Sequence, residues 1–439
     1  MTEAVQLEAS SRAGAGPRRL FRRNYLAHSF EGGLYMGALS FVSASTLMPT
    51  VVRSLGGANW LISMMPIMMA VGVLLPPIFT AHVIERLRRY MPLLLVTGVL
   101  QRLPYLLAAL ALLVGPAVHR AIPLAGVALA PLVSGIFCGL TFTAWQQLVI
   151  RTIPDRRRSS LFAARSLICC TLGLIAGGVV KAVLEAWPGT TGYGILHLCA
   201  FGLLGVSYVF FTMIREAPPH PAPPAEPTGL LANLRAMPGI VRRDRRLGLY
   251  LLASALFCGL YILTPFLAIR ARDVLGRPES YLGDLLIVWM AGAFAGNVLS
   301  GYLGDRFGGK CVVMMSGAVL VAVAAWSTAA ASDLAWRAIF FLFGFAFFSQ
   351  MVGGKTLSLE ICRERQRSTY LAIMAFVRLV SMLAATGLSG AIWNGGGRFA
   401  WHASLTAGCM LASLGFLAAL REPRRPAGRA AAAGGRTGP

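Results

Sequence analysis

Residues 301–310 read GYLGDRFGGK, with Asp305 and Arg306 side by side among glycines and a lysine at 310. On either side lie the apolar runs 280–304 and 311–331. Each is long enough to cross hydrocarbon as a helix, which takes about 20 apolar residues. A polar loop this short between two such runs reads as a turn between two membrane passes. The same criterion finds ten more runs, at 25–49, 60–82, 91–115, 122–148, 161–185, 192–214, 247–269, 335–359, 369–393 and 399–420. The chain is therefore expected to be an all-α membrane protein with twelve transmembrane helices.

Composition agrees. Charged residues are 13% and hydrophobic residues 56% of the 439, with mean hydropathy +0.66, against about 25% charged in soluble domains. The net charge of +23 does not require nucleic acid, because 28 of the 40 Lys and Arg fall on one side of the predicted spans and seven on the other. That asymmetry is the positive-inside pattern. It puts both termini in the cytoplasm of a cell whose plasma, or inner, membrane holds the protein. The opening MTEAVQLEASSRAGAGPRRLFRRN reads as a cytoplasmic tail and not as a secretion signal. Residues 1–17 and 422–439 are low in complexity and are expected to be disordered. The eight cysteines scatter through the spans without ligand spacing, as small packing residues do, so no metal site and no cofactor are expected. There is no phosphate-binding loop and no nucleophile–base set, and His82 has no acid at useful spacing. An enzyme is not indicated.

The chain repeats. After span 2 it reads AHVIERLRRY (81–90), where Glu85-Arg86 match Asp305-Arg306 of the loop after span 8. RRRSSLFAA (156–164) after span 4 matches RQRSTYLAI (365–373) after span 10, and spans 6 and 12 end at Arg215-Glu216 and Arg421-Glu422. Two parallel six-helix bundles related by a pseudo-two-fold axis follow, with a substrate site between them near the midplane. The division is a tail at 1–24, a bundle at 25–214, a Pro-rich linker at 215–246, a second bundle at 247–421 and a tail at 422–439. Within the linker, LLANLRAMPGIVRRDRR forms a short basic amphipathic stretch.

GYLGDRFGGK resembles the signature of the major facilitator superfamily, G-x-L-x-D-R-x-G-x-K/R, and Gly301, Asp305, Arg306, Gly308 and Lys310 match it position by position. AHVIERLRRY is a degraded first copy, and IPDRRRSSLFAARSL (153–167) is similar to the superfamily's loop between helices 4 and 5. The resemblance implies that fold over the whole chain and names no substrate. Gly301 and Gly308 would let two helix ends approach, and Asp305 would be stabilised at a neighbouring helix N-terminus. With Glu85 and Arg86, these groups would form a gate on the cytoplasmic face.

Charged groups inside the spans carry the candidate chemistry, since such residues are costly in lipid and usually functional. In TGVLQRLPYLLAAL (97–110), Arg102 lies about 16 Å into span 3 at 1.5 Å per residue. Superfamily folds keep that helix peripheral, which makes Glu31 of span 1 the expected partner; a substrate-facing Arg102 is the alternative. Glu31, with His28 one turn before it, is also a candidate proton carrier, because buried carboxyl groups can exchange a proton near neutrality. Arg378 in span 11 and Lys355 in span 10 are substrate candidates, the eleventh helix bordering the cavity in the family. Thr141, Trp145 and Gln146 in span 4, and Tyr261 and Thr264 in span 7, are implied to line that cavity.

These residues point to secondary active transport of a small solute by alternating access. Protons are the expected coupling ion, an anionic or zwitterionic solute the expected cargo, and a monomer the expected state. The fifth span keeps Gly173, Gly177 and Gly178 but lacks the Gly-Pro pair of drug antiporters, and span 4 has no arginine before Arg151. A multidrug proton antiporter remains an alternative, as does a non-transporting assembly or sensor subunit on the same scaffold.

Overall fold

The computed structural model describes residues 2–76, 87, 89–119, 121–216, 230–362, 367–393 and 399–422. Among them there is no strand, and eleven helices are long and apolar enough to cross a membrane. A shorter apolar helix, Asn59–Leu74, stands where span 2 was expected. With it the twelve predicted passes are accounted for. In lipid every backbone N–H and C=O must be satisfied within the segment, and a helix does so.

The first half comprises α1 (Thr2–Ala38), α2 (Leu47–Ser54), α3 (Asn59–Leu74), α4 (Met91–Leu113), α5 (Ala121–Thr152), α6 (Asp155–Ala186) and α7 (Thr190–Thr212). The helix α1 runs back to Thr2, where the sequence suggested disorder; the Ala, Glu, Gln and Leu of TEAVQLEAS are good helix formers. After it come the amphipathic α8 (Leu230–Arg243) and then α9 (Arg245–Phe257), α10 (Leu260–Leu275), α11 (Tyr281–Phe307), α12 (Gly309–Ala329), α13 (Asp333–Ile361), α14 (Arg367–Ile392) and α15 (Phe399–Ala419).

The packing repeats as the loops do. In the first half α4 lies against α5 and α7, and α1 against α7. In the second, α12 lies against α13 and α15, and α9 against α15. Two compact units result. One holds Met1–Thr228 with Thr264–Met290 and Ser389–Gly396, the other Gly229–Leu263, Ala291–Leu388 and Gly397–Pro439. The units cut through spans 7, 8 and 11.

Spans 1 and 7, the first helix of each repeat, are both interrupted. In span 1 a 3-10 turn at Leu39–Val42 and a bend through Thr46 separate α1 from α2. There Leu47 and Met48 both donate their N–H to the Ser43 carbonyl, and the buried hydroxyls of Ser40 and Thr46 have no hydrogen-bond partner. In span 7 the break is at Cys258-Gly259, and Thr406 of α15 donates to the freed Gly259 carbonyl at 3.1 Å.

Candidate functional site

His28, Glu31 and Tyr35 lie at helical spacing on α1, and all three are buried. Glu31 meets Arg165 of α6, Nη1 to Oε2 at 3.3 Å. The same nitrogen donates to the His28 carbonyl at 3.3 Å, and the guanidinium lies over the Trp145 indole, 4.9 Å from the ring centre. Gly32 makes the room: a Cβ there would fall 1.7 Å from the Arg165 Cζ. The neighbouring glycines continue the contact, Gly33 against Ile168 and Gly37 against Leu172, so small residues at spacing four bring α1 and α6 together.

His28 completes the cluster. Its Nε2 is 3.0 Å from the Thr152 hydroxyl, which donates to the Leu148 carbonyl at 2.7 Å. A hydroxyl has one proton to give, so Nε2 is assigned as the donor. Nδ1 then carries a lone pair with no hydrogen-bond partner.

Arg102 has a different environment from the one expected. It donates to the carbonyls of Leu204 at 2.9 Å and Gly98 at 2.7 Å, and to the Ser207 hydroxyl at 3.2 Å. Its guanidinium also lies 5.5 Å and 5.1 Å from the ring centres of Tyr35 and Tyr208. Ser207 in turn donates to the backbone carbonyl of Glu31 at 2.8 Å. Arg102 thus reaches Glu31 through a hydroxyl and a carbonyl, while the carboxylate's ion-pair partner is Arg165. Depth along the span selected the wrong arginine because it says nothing of the azimuth at which a side chain leaves its helix.

In the other unit, Arg378 lies near Tyr261, Tyr250 and Cys258 at the break in span 7, and the Cys258 thiol donates to the Arg378 backbone carbonyl at 3.8 Å. The Tyr250 hydroxyl is 2.6 Å from that of Ser358. Lys355 is exposed, as is Gln146. Thr141 bonds back to the Phe137 carbonyl at 3.1 Å, which spends its hydroxyl on its own helix. Thr264 is fully buried.

The 301–310 segment was expected to be a loop, but it is helical up to Phe307 and turns only at Gly308; otherwise it behaves partly as its sequence suggests. Gly308 has φ 89°, a conformation that disfavours any side chain. The close approach belongs to Gly309, whose added Cβ would lie 2.4 Å from the Leu357 nitrogen; at Gly301 it would meet open space. Glu360 receives the Gly309 N–H at 3.1 Å and caps α12. Lys310 donates to the Leu420 carbonyl at 2.5 Å, and Arg306 to the Tyr302 hydroxyl at 3.0 Å. Asp305 is exposed at the end of α11. Glu85 and Arg86 lie outside the described residues.

At the opposite ends of the helices, first-half spans are tied to parts of spans 7, 8 and 11, all within one unit. Arg53 pairs with Asp273 at 2.7 Å and Lys181 with Asp284 at 3.2 Å. Asn59 donates to the Trp393 carbonyl at 2.6 Å, and a Cβ on Gly283 would lie 2.5 Å from the Gly177 carbonyl oxygen. The signal for the last contact was present in LGLIAGGVV; the ion pairs had none.

Interrupted first helices, repeated packing and buried charge define a multi-pass helical membrane protein built from two repeats. Residues 249–438 match the family profile of the Major Facilitator Superfamily. A point mutant of the nucleoside transporter NupG superposes with TM-score 0.68 at 13% identity, covering 90% of this chain and 99% of that one. A D-xylose–proton symporter gives 0.66 at 15%, covering 92% and 98%. A POT family transporter in complex with 5-aminolevulinic acid gives 0.63 at 10%, covering 92% and 96%. No curated protein matches the sequence. The second part of the chain thus carries the profile of the Major Facilitator Superfamily, and the chain shares the fold of these transporters.

Proposed function

We propose that the chain is a secondary active transporter that moves a small anionic or zwitterionic solute by alternating access, coupled to protons through Glu31. The observation that carries this reading is the pair of interrupted helices at equivalent places in the two repeats. Breaks of this kind free backbone groups where transporters bind solute and ions. Glu31 with Arg165 lies two turns before the first break, and Arg378 with Tyr261 adjoins the second. Two arginines favour an acidic group on the solute. Protonation of Glu31 would release Arg165 from its ion pair, so proton and solute would compete for or share one cation.

The contacts of Arg53, Lys181, Asn59 and Gly283 supply the closed gate on one side, and Asp305, Arg306 and Lys310 the gate on the other. Both termini are cytoplasmic, the membrane is the plasma or inner membrane, and one copy of the two bundles, 25–214 and 247–421, suffices.

The test uses proteoliposomes loaded with a pH-sensitive dye and challenged with nucleosides, pentoses, amino acids, short peptides and carboxylic acids. Solute-dependent acidification is expected for at least one acidic or zwitterionic compound. Glu31→Gln should abolish it while leaving solute exchange at equal pH. Full gradient-driven uptake in that variant would remove Glu31 from the coupling.

A further inference from the structure

A cavity lies at the end of the first unit that carries the basic loops. It measures about 280 Å³ and is lined by the middle of α1, the end of α5 with the residues that follow it, and the segment after α7. Pockets for drug-sized ligands run from about 300 to 1,000 Å³, so this one suits a small headgroup better than a whole transported solute. We infer that it seats the headgroup of an anionic phospholipid.

Charge is the first argument. Arg215 lines the cavity and is exposed. Its root is fixed on both sides: its N–H donates to Asn24 Oδ1 and its carbonyl accepts from Asn24 Nδ2, each at 3.0 Å. The second cation, Arg151, is held by Glu216 at 3.1 Å. That carboxylate also accepts the N–H groups of Tyr90 at 3.0 Å and Met91 at 3.1 Å, so this acid is already engaged. Thr152, on the wall, has its hydroxyl taken by Leu148 and His28. Among the described residues, the wall therefore offers an anion the Arg215 guanidinium and holds no carboxylate.

The apolar wall is the second argument, and it selects lipid over a free anion. Leu20 and Ile150 border the cavity and are 39% and 48% exposed on helices of membrane-spanning length. Such side chains gain nothing from a hydrated inorganic ion but pack well against glycerol and the first acyl carbons. Anionic lipids enrich the cytoplasmic leaflet, and each Lys or Arg at that surface adds about 1 kcal/mol of attraction.

The full chain, purified in detergent with equimolar phosphatidylglycerol and phosphatidylcholine, is examined by native mass spectrometry. The wild type should retain phosphatidylglycerol in preference. Arg215→Gln, which keeps both backbone bonds to Asn24, should lower that retention about fivefold, the equivalent of one such charge. Arg157→Gln, an exposed arginine of the same end that does not line the cavity, should change it little. Equal retention of the two lipids, or equal losses in the two variants, would overturn the assignment. So would displacement of bound phosphatidylglycerol by millimolar inorganic phosphate, which would mark a free-anion site. None of these readouts depends on transport, so the proposed function stands or falls separately.

Discussion

Gly32→Ala tests the central cluster without deleting either charge. The added methyl would sit 1.7 Å from the Arg165 Cζ, so the guanidinium, the far end of a flexible side chain, must move by a similar distance. Its separation from Glu31 then grows from 3.3 Å to roughly 5 Å. With an effective dielectric of about 20, the Coulomb attraction falls from about 5 to about 3.3 kcal/mol. Counted instead as one lost hydrogen bond between charged groups, the cost is about 1.5–3 kcal/mol. Both descriptions of the same contact give about 2 kcal/mol. Against this, Gly→Ala inside a helix stabilises by about 1 kcal/mol. The variant should therefore be destabilised by about 1 kcal/mol in the wild type and stabilised by about 1 kcal/mol in an Arg165→Met background. The coupling of about 2 kcal/mol is a roughly 30-fold change in an unfolding equilibrium. It is read from SDS titrations in detergent micelles, followed by tryptophan fluorescence. An equal effect of Gly32→Ala in both backgrounds would mean that Arg165 does not lie over that glycine.

Gly283→Val places carbon against the backbone of Gly177 and Lys181, which cannot yield as a side chain can; overpacking of about 1–3 kcal/mol should appear as a lowered thermal midpoint. Arg53 and Asp273 are 43% and 37% exposed, so Arg53→Met should change stability by less than about 1 kcal/mol in the same assay. Ser280 is buried one residue before α11, four before Asp284; in the gate reading, Lys181→Met should raise labelling of a Ser280→Cys variant by a membrane-impermeant maleimide, and unchanged labelling would sink that role. Asp305→Asn should slow solute uptake at unchanged membrane insertion, and full uptake would make the segment at 301–310 an anchor without a gating role.

The twelve passes and the amphipathic 230–243 stretch were legible in the sequence. Each depends on local composition, summed over a window of roughly one helix: transfer of about 20 apolar residues into lipid is favourable whatever lies beside them. The candidate site was only partly legible. His28, Glu31, Trp145, Tyr261 and Arg378 were all chosen from sequence, yet Arg165, which joins three of them, was passed over for Arg102. Which arginine meets a carboxylate 134 positions away depends on the rotation of three helices about their axes. That rotation is set by where glycines let backbones close, at Gly32, Gly33 and Gly37. The breaks in spans 1 and 7 were likewise invisible to hydropathy, because Ser43, Thr46 and Gly259 sit in windows that remain apolar on average. Local burial of apolar surface made the membrane passes inevitable from the chain alone; the pairing of charges between them was decided by tertiary packing, since an ion pair acts over a few ångströms and no distance of that kind is written in sequence order.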